Sequence, residues 1–132
     1  MRLIADEQRY RNHVADAGVT TGAKLATTTA EMVEAESQLA LERERTLSNI
    51  ESSVLLVKTA RLKADSSEKR AVLANETRSF FEKSFRFGET DLPTRLRIEL
   101  EASDASRQAA VAKINYAVAI SNLRQALGLL PE

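Results

Sequence analysis

Residues 84–96 read SFRFGETDLPTRL. Elsewhere the chain is dominated by helix formers, so this stretch decides whether it continues as one helix or folds back. Lys83 and Arg86 close the preceding segment with cations, which suit the negative end of a helix dipole. Gly88 stands where a left-handed residue ends a helix. Asp91 is an N-cap residue type, and Pro93 falls in a first turn, where its missing N–H costs little. The stretch therefore reads as helix end, tight turn and helix start. A connection this short makes its helices antiparallel neighbours.

Working outward, the expected fold is all-α. It is a long antiparallel helical hairpin, with helix one over about 14–87, a tip turn at 88–91 and helix two over about 91–127. Residues 1–13 are polar, lack an apolar period and read as an irregular lead-in. Gly18 and Gly22 weaken the start of helix one, which is expected to begin hesitantly or to bend there. From Ala23 to Phe87 there is no Gly or Pro. Leu25, Met32 and Leu39 are seven apart. Leu47, Ile50, Val54 and Val57 follow at coiled-coil spacing, and Ala64, Ala71 and Ala74 continue the line.

Helix two carries the sharper pattern. Ile98, Ala102, Ala105, Ala109, Ala112, Tyr116, Ala119, Leu123 and Ala126 alternate steps of four and three. Small residues in such a seam let another helix approach closely, so Ala102, Ala105, Ala109 and Ala112 are assigned to close helix packing. A second strip, Val111, Ile114 and Val118, lies to one side and asks for another neighbour. At 1.5 Å per residue the helices would span roughly 110 Å and 55 Å. Helix two can then cover only half of helix one, and Leu25, Met32 and Leu39 lack a partner within the chain. The chain reads as part of a larger protein or as a subunit of an assembly.

Composition excludes several classes. The 132 residues suit one region, 1–132, and 43% are hydrophobic but only 5% aromatic. Nineteen basic and nineteen acidic residues cancel, so no electrostatic capture of nucleic acid is expected. There is no cysteine, hence no disulfide or thiolate metal site. The N-terminal stretch has no apolar core of a signal peptide. No window is apolar enough for a transmembrane helix, and no alternating segment reads as a membrane β-strand.

All four Phe residues, Phe80, Phe81, Phe85 and Phe87, fall within eight positions. Either they plug the end of the hairpin, or some are exposed to a partner or neighbouring subunit.

The segment from about Phe80 to Pro131 resembles the C-terminal part of TolC-like outer membrane efflux proteins, especially those of the heavy-metal efflux type. The resemblance rests on Phe85, Gly88, Leu92 and Leu96, followed after a long helix by ALGLL at 126–130. It is looser from about Arg11 to Ser79. It implies one hairpin of an α-helical barrel in the periplasm, built from three subunits, with the β-barrel strands outside this chain. The turn would be the periplasmic tip, meeting the adaptor (membrane fusion) protein of an inner-membrane pump. Phe85, Phe87, Gly88, Glu89, Thr90, Asp91, Leu92, Thr94 and Leu96 would form that contact. The implied function is a passive export duct, with a homotrimer for the full-length protein and membrane contact only through parts not in this chain. Drug-efflux members close the entrance with an Arg and two Asp, whereas the matching positions here are Thr90, Thr94 and Arg97.

No enzyme, cofactor or metal site is expected. His13 and Asp16 make a single i, i+3 pair. GVTTGAKLA at 18–26 has three residues between its glycines where a phosphate loop has four. Glu99 and Glu101 are two apart and diverge on a helix. Thr27, Thr28 and Thr29 have no base nearby and are assigned to close helix contacts. The alternative function is a stand-alone coiled-coil hairpin that serves as an interaction or dimerisation module.

Overall fold

The computed structural model describes residues 2–129. It contains two helices, α1 (Arg2–Arg86) and α2 (Leu92–Ala126), with no strand among the described residues. The fold is an all-α helical hairpin. The chain divides into two units, Met1–Arg45 and Thr46–Glu132, and the hairpin lies in the second.

In the first unit every described residue is exposed, including Leu25, Met32 and Leu39. The expected irregular lead-in is wrong, because α1 begins at Arg2 and runs without interruption through Gly18 and Gly22. The missing apolar period misled that reading. Arg, Glu, Gln and Ala are strong helix formers that need no buried face. A Glu7–Arg11 ion pair at 3.1 Å bridges the first turns. Thr27, Thr28 and Thr29 are also reassigned. They are exposed, and their hydroxyls donate to the carbonyls of Ala23, Lys24 and Leu25 at 2.7–2.9 Å. Back-bonding of this kind satisfies a threonine that has no helix against it.

In the second unit α2 lies against α1 through a seam of small side chains. Its buried residues are Ile98, Ala102, Ala105, Ala109 and Ala112, and those of α1 are Ala64 and Ala71. Ala60, Ser67 and Ala74 are half-buried along α1, as are Tyr116, Ala119, Leu123 and Ala126 along α2. Ala102 retains 1% of its exposure, yet among the described residues no large side chain is fully buried. The seam therefore gains less from apolar area than a leucine seam would, at about 0.8 kcal/mol per buried CH₂. It depends on the close approach that alanine permits, where many weak dispersion contacts add up.

Polar bridges flank the seam. Lys113 pairs with Glu68 at 2.6 Å and Arg78 with Glu99 at 3.8 Å. The Asn75 amide donates to Ser106 Oγ at 3.1 Å. The two ion pairs are substantially exposed, so each is worth less than about 1 kcal/mol, but together the bridges mark which residues stand level. Leu47 departs from the expected stripe and is exposed. The last turn of α2, at Asn122, Gln125 and Ala126, lines a groove with Thr46, Asn49 and Ser53, and Leu47 stays outside it.

Asp104 accepts hydrogen bonds from Arg107 and Gln108, both at 2.6 Å. The Arg107 bond, first, and the nearby positive charge hold its carboxyl below the usual carboxylate range. Because the folded form is depressed, this contribution is present above the unfolded value. It is lost as pH falls through the folded one. Asp104→Asn is thus expected to flatten the acid side of a pH–stability curve and to leave its neutral-to-alkaline shape unchanged, as read by thermal melts across pH. A second expectation concerns the seam. Ala109→Leu overfills it and costs about 1–3 kcal/mol, whereas Ala110→Leu, on the exposed neighbouring position, stays within about 0.5 kcal/mol. Circular-dichroism melts at matched concentration separate the two.

Candidate functional site: the hairpin tip

The turn between the helices is a Schellman motif. Gly88 takes φ +77°, its N–H donates to Phe85 O at 3.0 Å, and Glu89 N–H donates to Ser84 O at 3.0 Å. Nothing lies within 4 Å of a Cβ built on Gly88, so glycine is required by backbone conformation and not by crowding. The hydrophobic contact that often accompanies this motif has a polar substitute here. Thr90 Oγ1 donates to Ser84 Oγ at 2.8 Å, and Ser84 Oγ stands 3.5 Å from Glu89 Oε2. These contacts tie the turn back onto the last turn of α1.

Asp91 occupies the N-cap of α2 with extended backbone (φ −81°, ψ 160°), but its side chain makes no cap bond. The expected capping role is corrected accordingly. Its carbonyl accepts the Arg95 N–H at 3.2 Å, and its carboxylate is left to the outside. Pro93 lies in the first turn, as its fixed φ favours.

The four Phe residues divide. Phe81 and Phe85 are half-buried, and Arg95 places its guanidinium 4.8 Å from the Phe85 ring centre. This cation–π contact ties α2 to the end of α1. Phe80 meets Phe81 edge-on at 5.7 Å but stays 67% exposed, and Phe87 is 82% exposed. Plug and exposed surface are therefore both present, on different residues.

Of the residues assigned to the tip, Phe87, Gly88, Glu89, Asp91, Leu92 and Leu96 are exposed, while Phe85, Thr90 and Thr94 are half-buried. Phe85 and Thr90 build the turn. The exposed set can offer apolar area flanked by carboxylates. Arg86 pairs with Glu82 at 2.8 Å and Arg97 with Glu101 at 3.5 Å, each within its own helix. Ser84 and Arg95 were not singled out as tip residues, because neither a lone Ser nor a helix-start Arg has a distinctive spacing. The four seam alanines, Ala102, Ala105, Ala109 and Ala112, are all buried as expected. Among the described residues no group of three or more His, Asp or Glu side chains converges, and no helix is long and apolar enough to cross a membrane.

Comparison with protein-family models, curated proteins and solved structures finds no match to this chain.

The geometry separates the two conspicuous residues of the turn. Gly88→Ala forces a side chain into the left-handed region and is expected to cost about 1–2 kcal/mol. Asp91→Ala removes no cap bond and is expected to cost less than the about 1 kcal/mol of an ordinary cap loss. Urea unfolding of both variants checks the order.

Proposed function

We propose that this chain is the periplasmic helical-tunnel segment of a trimeric outer membrane efflux channel subunit. In this reading it is part of a passive export duct whose tip docks to a pump adaptor. The observation that carries the reading is the tip itself, a glycine-closed turn with Phe87, Leu92 and Leu96 exposed around it. The surrounding turn is fixed by Ser84, Thr90 and Arg95, so these apolar side chains are held out on a rigid support. A rigid apolar patch rimmed by Glu89 and Asp91 suits protein docking. The resemblance of residues 80–131 to TolC-like proteins supplies the biological setting, and the exposed Val111, Ile114 and Val118 supply a face for a neighbouring helix in a barrel wall.

A passive duct requires no catalytic group. The tip would recognise its adaptor by shape and apolar contact, and the carboxylates would exclude wrong orientations. The stand-alone interaction module remains the second reading, favoured by the exposed Leu25, Met32 and Leu39.

The test uses the full-length subunit of which this chain would be a segment. Asp91→Ala and Phe87→Asp, both at exposed positions outside the seam, are expected to lower export at unchanged outer-membrane abundance, and to weaken cross-linking to the adaptor. Wild-type export and adaptor cross-linking in both variants would remove the docking function from this tip.

A further inference from the structure

Glycine weakens a helix more than any residue except proline, and α1 contains it twice, at Gly18 and Gly22. Neither has the conformational reason that Gly88 has. Both lie inside the α-helix, positive φ occurs only at Gly88 and Gly128 among the described glycines, and nothing lies within 4 Å of a Cβ built on either. Their effect on this helix is to make it easier to open. They begin a run, GVTTGAKLATTT at 18–29, in which eight of twelve residues are Gly, Thr or Val. All three types are poor helix formers. The stretch that follows, EMVEAESQLALERER at 31–45, is built mostly from strong ones.

The side chains add to this weakness. Thr20, Thr21, Thr27, Thr28 and Thr29 all donate to the carbonyl four residues back, at 2.7–2.9 Å. Each of those carbonyls belongs to the helical ladder, and a hydroxyl inserted there loosens and bends it. A hydroxyl that stays on the carbonyl also leaves it partnered when the backbone N–H swings away. Few side-chain pairs brace this part of the helix. Among the described residues of α1 they stop at Glu7–Arg11 and resume at Glu34–Gln38. Every residue of 18–29 is exposed, so no packing holds these turns closed.

We infer that residues 18–29 are a hinge built into α1, at which turns of the helix open transiently. Residues 2–17 then tilt as an arm on residues 31–45, which stay helical. Two separate features fall on the same twelve residues. One is a pair of glycines with neither a conformational nor a steric need. The other is a set of threonines that compete for the ladder carbonyls. A uniformly strong helix would hold residues 2–17 at one fixed angle, and the hinge releases that angle without melting the helix beyond it. This inference does not rest on the export reading, because the run is weak whether or not the chain belongs to a duct.

The chain has no cysteine, so paired spin labels report the bending directly. Tyr10→Cys/Glu36→Cys places labels at exposed positions on either side of the hinge. Leu47→Cys/Leu73→Cys is the control, with the same separation in sequence and exposed positions farther along α1. A straight helix sets the Cα atoms of each pair about 39 Å apart. Double electron–electron resonance on the full chain, diluted with unlabelled chain, reads distances within one copy. The 10/36 distribution is expected to be about twofold broader than the 47/73 distribution. Gly18→Ala/Gly22→Ala is expected to narrow it, and adding Thr27→Ala/Thr28→Ala/Thr29→Ala to bring it to the control width, because alanine restores helix propensity. A 10/36 distribution as narrow as the control overturns the inference. So does one that stays broad in the fivefold variant, since fraying from the helix end would then be the cause. Amide exchange is the second readout. Residues 18–29 are expected to exchange about tenfold faster than residues 31–45, and to slow about tenfold in the fivefold variant. Equal exchange in the two segments of the unsubstituted chain also overturns the hinge.

Discussion

The hairpin depends on alanine meeting alanine. Ala64 and Ala71 on one helix and Ala102, Ala105, Ala109 and Ala112 on the other leave no bulky side chain to hold the backbones apart. Close approach replaces buried area as the cohesive term. The same smoothness carries a cost, since an alanine seam has few knobs and gives little resistance to sliding. Register must be fixed elsewhere. The turn does this at one end, with Gly88 in the left-handed region and Pro93 starting the next helix. Glu68–Lys113 and Asn75–Ser106 do it along the flanks. Surface pairs that contribute little to stability here select among registers of nearly equal packing.

The seam of α2 was legible in the sequence because nine apolar positions keep the 4–3 alternation without a miss, and the turn was legible because Gly, Asp and Pro each have a stereochemical reason to be there. The start of α1 was not legible. A helix without a buried face has no period to read, and residues 2–13 are helical through propensity and the local Glu7–Arg11 ion pair. The exposed apolar line Leu55, Leu62, Leu73 and Phe80 along α1 was also missed. Its residues are separated by seven or eleven positions and interrupted by Ser66, Lys69 and Glu76. A helix with apolar lines on opposite sides also blurs the one-sided pattern that periodicity detects.

At the tip, residue types were easier to read than roles. Asp91 has the right identity and backbone for a cap but does not use its side chain. Thr27, Thr28 and Thr29 suggested a tight helix contact and instead satisfy themselves on the preceding turn. In both cases a short polar side chain has several local partners of similar energy, and sequence alone does not choose among them.

The division of the Phe cluster follows from helical phase. Phe81 and Phe85 are four apart and fall toward the seam, where Arg95 reaches over Phe85. Phe80 and Phe87 are seven apart and fall on the continuation of the line through Leu62 and Leu73. The exposed aromatic surface at the tip is thus continuous with the outer edge of α1. Phe87 stands just beyond the end of α1 at Arg86. Phe87, with Leu92 and Leu96 at the start of α2, is exposed apolar surface at the turn itself. One short run of sequence thus turns two of its rings toward the partner helix and leaves two in solvent, by helical phase alone.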